Sequence, residues 1–197
     1  MTAIDDDILL MAERFSLLTR AHSMVSGMSV LNTIWPGLGR DLLNGIIGSA
    51  VFPRPLRWRV LRALGMSVES ANISPSVWFG SFSRVTIGGG TFINYGCMLN
   101  TSAPIRIGKD CDVGMRVTFV TSSHEIGSAH RRAGTATAKP IEVGNGVWIG
   151  AVSTILPGVT IGEGAIIAAG AVVSRDCEAH SLYAGVPARK VRELPSV

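Results

Sequence analysis

From Val143 to Val173 the chain repeats a unit of six residues. A bulky aliphatic residue returns at Val143, Ile149, Ile155, Ile161, Ile167 and Val173, and Gly144, Gly150 and Gly162 follow three of them. Four places after each of the first five stands a small or β-branched residue: Val147, Ser153, Val159, Ala165 and Ala171. Neither the 3.6-residue period of a helix nor the alternation of a strand produces a period of six. A chain that lays down a short strand and turns one corner per unit does produce it. The pattern therefore predicts a parallel β-helix whose aliphatic residues stack inward from coil to coil.

Upstream the beat is looser. Ile73, Phe79 and Val85 are six apart, as are Ile87, Ile93, Leu99 and Ile105, and then Ile107, Val113 and Phe119. The phase slips by two at Val85/Ile87 and again at Ile105/Ile107. Early coils enlarged at a corner would explain the slips, with Gly88-Gly89-Gly90 as one candidate corner. Between Phe119 and Val143 the rhythm stops, and the polar stretch 121–140 predicts a loop leaving a rigid solenoid, the kind of place where function concentrates.

Before the coil, residues 4–34 carry Ile8, Leu9, Met11, Phe15 and Leu18, then Met24, Val25, Met28 and Leu31, near helical spacing. Trp35-Pro36-Gly37 breaks that pattern. Asp41 to Ile47 and Leu56 to Leu64 predict further helices, the second ended by Gly65. Solenoids need covers over their terminal apolar rungs, so these helices are expected to cap the coil and pack in an oligomer. Contact with a membrane surface through them is the disfavoured alternative. The expected organisation is a helical cap over 1–67, an all-β core of coils over 68–176 with the inserted loop 121–140, and a turn with a short terminal helix or tail over 177–197.

Composition narrows the function. The chain of 197 residues is 47% hydrophobic and 16% charged, which fits one ordered domain and excludes a disordered chain. Net charge is +4, with 15 Arg against 3 Lys. Without a basic helix, an RNA-binding signature or zinc-finger spacing, nucleic acid is not an expected partner, whereas an anionic small ligand suits the balance. Cys97, Cys111 and Cys177 are odd in number and fit no metal spacing, as expected of reduced intracellular thiols. The start, M-T-A-I-D-D-D, is acidic where a signal peptide is basic. The uncharged stretch ahead of the coil, Ala21 to Gly39, is interrupted by Gly27, Pro36 and Gly37 and makes a poor membrane span. A cytoplasmic protein is expected.

Five pieces stand in a telling order: F-I-N-Y-G around Asn94, T-S-S-H ending at His124, V-W-I-G at 147–150, I-L-P-G-V-T-I-G at 155–162, and A-G-V-P-A-R-K-V-R at 184–192. With them, residues 68–192 resemble the hexapeptide-repeat, left-handed β-helix acyltransferases, of the galactoside and maltose O-acetyltransferase type. The left hand is implied by the resemblance alone, since parallel crossovers are otherwise right-handed in about 98% of cases. The resemblance implies a homotrimer with active sites in the clefts between neighbouring coils, acetyl-CoA or another acyl-CoA as cosubstrate, no metal, and a small hydroxylated acceptor.

It also implies roles. His124 becomes the general base that takes a hydroxyl proton, chemistry an imidazole suits near neutral pH. Glu125, Glu142 or a backbone carbonyl are the groups available to orient it. Asn94 would position the acceptor. Arg189 and Arg192 would meet the phosphates of coenzyme A, beside Lys190. The thin arm would run past Trp148, Gly150, Ala151, Ala169 and Ser174. Ala151 stands where the galactoside type has Ser, which leaves oxyanion stabilisation to backbone N–H groups. His130, with Arg131 and Arg132, reads as loop surface or an acceptor contact. Three other readings use the same coil: an N-acyltransferase on an amine, a non-catalytic scaffold, and a γ-type carbonic anhydrase. The last needs three zinc-binding His, and the four in this chain (His22, His124, His130, His180) lack the context of such a set.

Overall fold

A computed structural model describes residues 37–196, so the helices expected over 4–34 lie outside the described residues. The core is a parallel β-helix with three faces. Face A stacks β1 (Ser67–Val68), β4 (Val85–Ile87), β7 (Ile105–Ile107), β12 (Ile141–Val143) and β15 (Thr160–Ile161). Face B stacks β2 (Asn72–Ile73), β5 (Phe92–Ile93), β8 (Asp112–Val113), β13 (Trp148–Ile149), β16 (Ile166–Ile167) and β18 (Ser181–Ala184). Face C stacks β3 (Trp78–Phe79), β6 (Met98–Asn100), β9 (Thr118–Val120), β14 (Thr154–Ile155) and β17 (Val172–Val173). Each coil gives one strand to each face, and the pairing between coils is parallel.

Every aliphatic residue of the six-residue beat points inward. Ile73, Ile93, Val113, Ile149 and Ile167 form the buried ladder of face B in exact register. Val147, Ser153, Val159, Ala165 and Ala171 are buried as well, so each unit supplies a second inward residue at its corner. Cys97 and Cys111 occupy such corner positions, where a small apolar side chain fits; both are buried free thiols, as is Cys177.

The enlarged corner is not at Gly88-Gly89-Gly90. On face B register partners lie twenty positions apart in the early coils (Ile73 with Ile93, Ile93 with Val113) and eighteen after the hairpin (Ile149 with Ile167). The surplus falls between faces C and A, at the 3-10 turn Phe82–Arg84 in the first coil and at residues 101–104 in the second. Val85 and Ile87 both point inward from the two ends of one three-residue strand, which produces the slip of two. In the third coil the same corner opens completely. The stretch 121–140 leaves there as an antiparallel hairpin of β10 (Ser122–Ile126) and β11 (Ala133–Ala138), an ordered element and not a loop.

Both ends of the described coil are closed. Helices α1 (Leu38–Ile47) and α2 (Arg54–Ala63) cover the first coil, with Ile47 and Leu61 in the same core as Val68 and Ile73. Arg57 is buried and donates from Nε to Ile47 O at 2.9 Å, from Nη1 to Ile73 O at 3.0 Å and from Nη2 to Ser49 O at 2.7 Å. It ties the cap to face B. At the far end, where a short helix or tail was expected, the chain forms a strand, β19 (Arg189–Glu193), antiparallel to β18. The open edge of β18 offers unpaired backbone groups, and the returning chain satisfies them by pairing, which a helix would not.

Candidate functional site

His124 sits on β10, exposed, opposite Ala136 of β11. The hairpin is fixed at its root by Thr121, whose buried hydroxyl donates to Asn100 O at 2.7 Å and accepts from Ala103 N at 2.9 Å. Nδ1 of His124 lies 3.0 Å from Gly134 O. A carbonyl oxygen only accepts, so this bond puts a proton on Nδ1 and, in the neutral ring, leaves the lone pair on Nε2. Of the three orienting groups considered for the imidazole, the backbone carbonyl is the one in contact. Glu125 follows at an irregularity of the β10–β11 pairing and forms no ion pair with the imidazole among the described residues. Glu142 is held by Arg106, Nη1 to Oε1 at 2.5 Å.

Asn94 lies on a different face. It follows β5 and, with Phe92, Asp112, Val113, Gly114 and Trp148, lines a groove of about 250 Å³ on the outside of face B. Asn94 Oδ1 accepts from Tyr95 N at 2.8 Å, and Arg54 stacks over the Tyr95 ring at 5.0 Å and donates to its hydroxyl. No residue of the hairpin lines this groove. One chain therefore does not bring His124 and Asn94 into a single cavity.

Trp148, 56% exposed, begins a column of outward residues in register: Trp148, Ile166, Leu182 and Arg192. Three strand spacings separate Trp148 from Arg192, roughly 14 Å at about 4.8 Å per spacing. Lys190 is engaged, 2.8 Å from Glu178 and 3.3 Å from Glu193, and its hydrogen bond to Glu178 raises its pKa. Arg189 donates only to Ala188 O at 2.9 Å, and Arg192 has no carboxylate partner among the described residues, so both guanidinium groups keep their charge available. Ala151 and Ala169 sit at stacked corners and Ser174 is exposed just past β17. Gly150 is buried instead: a Cβ there would lie 2.4 Å from Ala169 N, so its small size serves the stacking of one coil on the next.

Comparison with known proteins agrees with this coil. Residues 140–175 match a family model described as bacterial transferase hexapeptide (six repeats). A solved hexapeptide-repeat acetyltransferase of Vibrio cholerae, complexed with acetyl coenzyme A, superposes with a TM-score of 0.71 at 30% identity, covering 88% of this chain and 92% of that one. The chain belongs to the hexapeptide-repeat acyltransferase family. A maltose O-acetyltransferase of Clostridium difficile 630 superposes with a TM-score of 0.73 at 26% identity, over 80% of this chain and 86% of that one. The galactoside O-acetyltransferase of Escherichia coli K12 is 34% identical over 126 residues, 64% of this chain and 62% of that enzyme, so the match spans less than two thirds of the relative's length.

Among the described residues of this hexapeptide-repeat chain, two further surface concavities bear no sequence motif. The larger, about 670 Å³, lies along the exposed apolar side of α1 by Leu42, Ile46, Val51 and Phe52, far in sequence from the hairpin and poor in groups able to do chemistry. The other, about 430 Å³, is polar and opens at the enlarged corner between faces C and A, where Arg40, Trp78, Arg84 and Asn100 meet. Arg40 and Trp78 come together only when α1 packs beside face C, with the guanidinium 5.4 Å from the indole ring. Among the described residues no group of three or more His, Cys, Asp or Glu side chains is placed to hold a metal ion, and no helix is long and apolar enough to cross a membrane.

Proposed function

We propose that this protein transfers an acetyl group from acetyl-CoA to a hydroxyl of a sugar, glycoside or similar metabolite, with His124 as general base. The observation that carries the reading is the bond from His124 Nδ1 to Gly134 O, which leaves Nε2 free to accept a proton. In the step, Nε2 takes the acceptor's hydroxyl proton as its oxygen attacks the thioester carbon. The tetrahedral oxyanion collapses, the C–S bond breaks, and the imidazolium returns the proton to the departing thiolate. Backbone N–H groups would stabilise the oxyanion, since position 151 is Ala.

The donor would lie along face B. Its phosphates would meet Arg189 and Arg192, its arm would follow Ile166, Trp148 and the small corner residues Ala151 and Ala169 towards Ser174, and Asn94 would hold the acceptor. Because hairpin and groove are separate in one chain, the working unit is a homotrimer in which one chain's hairpin covers its neighbour's groove. A cytoplasmic setting suits the three buried free thiols and the donor.

Release of free thiol from acetyl-CoA, measured across a panel of hydroxyl and amine acceptors with products read by mass spectrometry, tests the proposal. His124→Ala should lower kcat by roughly 10²- to 10⁴-fold and leave the trimer intact by light scattering. A variant that keeps most of the activity sinks the mechanism. Acetylation of amines alone makes the enzyme an N-acyltransferase, and no thiol release with any acceptor favours the scaffold reading.

A further inference from the structure

The polar pocket between faces C and A lies next to the hairpin that carries His124. Asn100, on its rim, accepts a hydrogen bond from Ser122 Oγ at 3.1 Å. Ser122 and His124 are two apart on β10 and project from the same side of the strand, about 6.6 Å from one another. The side of the hairpin that touches the pocket is thus the side that bears the imidazole.

The pocket is charged in one direction. Arg84 Nη1 donates to Thr101 O at 3.3 Å and to Ser102 O, so carbonyls orient it without neutralising it. No carboxylate lies within ion-pair distance of Arg84 among the described residues. Arg40 is opposed by Asp41 at 2.9 Å. Two guanidinium groups therefore face one carboxylate. Around them stand the neutral hydroxyls of Ser81, Ser83 and Ser102, suited to hydrogen bonding with a polyol, beside the flat face of Trp78. On the pocket floor the Thr101 hydroxyl is buried without a hydrogen-bond partner, an incompletely satisfied polar surface.

We infer that this pocket takes one end of the acyl acceptor, whose reacting end lies between His124 and the Asn94 groove of a neighbouring chain, and that the end in the pocket carries an anionic group, carboxylate or phosphate, bound by Arg84 with Arg40 at its side. The inference rests on the acetyl-transfer reading and adds the acceptor's charge. A guanidinium pinned in one orientation by carbonyls is organised for a carboxylate or phosphate before either arrives, so little ordering is lost on binding. With the anion at Arg84, the far end of a sugar-sized molecule reaches Asn100 and brings a hydroxyl towards His124.

Glucose, glucuronate and glucose 6-phosphate offer one ring with no charge, a carboxylate and a phosphate. With acetyl-CoA as donor, one of the two anions should be acetylated with kcat/KM at least tenfold above glucose, and added salt should shrink that preference. Arg84→Gln should raise the KM for the anion by roughly ten- to a hundredfold, with the KM for acetyl-CoA unchanged, and Arg84→Lys should recover part of the loss. Because Arg84 also pins the 101–102 corner, Arg40→Gln is the second variant, with a smaller rise for the anion alone. Calorimetric titration of the three compounds without donor separates the two readings. Tighter binding of an anion by a protein that transfers no acetyl group keeps the pocket and sinks the transfer reaction. No preference for either anion in both measurements, or equal losses for glucose and the anion in Arg84→Gln, overturns the inference.

Discussion

The side-chain amide of Asn44 pairs with the backbone of Phe79 in both directions. Nδ2 donates to Phe79 O and Oδ1 accepts from Phe79 N, each at 2.9 Å. Phe79 belongs to the first strand of face C, whose outer edge has no coil beneath it, and Asn44 stands where the next strand would. Ser76 N, donating to Gly48 O at 2.8 Å, and Ile73 O, accepting from Arg57, are satisfied by the same cap. The helices thus close the solenoid by hydrogen bonding as well as by covering its apolar end.

Asn44→Leu keeps the volume and leaves one buried N–H and one buried C=O without partners. Stability should fall by roughly 2–5 kcal/mol, read as a lower urea midpoint. A loss below about 0.5 kcal/mol would show that water replaces the amide at that edge, since routine surface changes cost no more.

Thr121→Val tests whether the hairpin root positions His124. Valine has the shape of threonine and neither hydrogen bond, so the cost should be about 1–3 kcal/mol. Faster proteolytic cleavage within 122–138 should accompany it. If the hairpin remains as resistant as before, its own strand pairing holds it and Thr121 is dispensable.

Alkaline pH should destabilise the coil through its buried thiols. Burial pushes the Cys97 thiol up to about 11 and the Cys177 thiol up to about 12. In the unfolded chain both ionise near about 8.5. Above that pH the unfolded state has lost protons that the folded state keeps, so this contribution is complete below about 8.5 and declines as pH rises towards the folded values. Tm should fall more between pH 8 and pH 10.5 in the native protein than in Cys97→Ala/Cys177→Ala, and equal falls would assign the effect to other groups.

The six-residue beat carried the fold because it is local. An inward aliphatic residue every sixth position is all that a coil needs to stack, and even the slip at Val85/Ile87 recorded an enlarged corner, although not which one. The C-terminal strand is not legible in A-R-K-V-R, which has no such period; the free edge of β18 decides its conformation. His124 stood out as a candidate through the place where the rhythm fails and the T-S-S-H resemblance; its hydrogen bond was not legible, since it depends on Gly134 across the hairpin.

By itself, then, the sequence determined what repeats: the inward ladder, the corners, the excursion at 121–140 and the basic end at Arg189 and Arg192. Tertiary structure decided what meets. Coils stack residues that lie sixteen or more positions apart, and Asn44 of α1 meets Phe79, so Arg40, Trp78, Arg84 and Asn100 share a pocket that no period announces. Burial of apolar side chains writes itself into sequence as a pattern. The convergence of polar ones at a corner is written only in how the coils are piled.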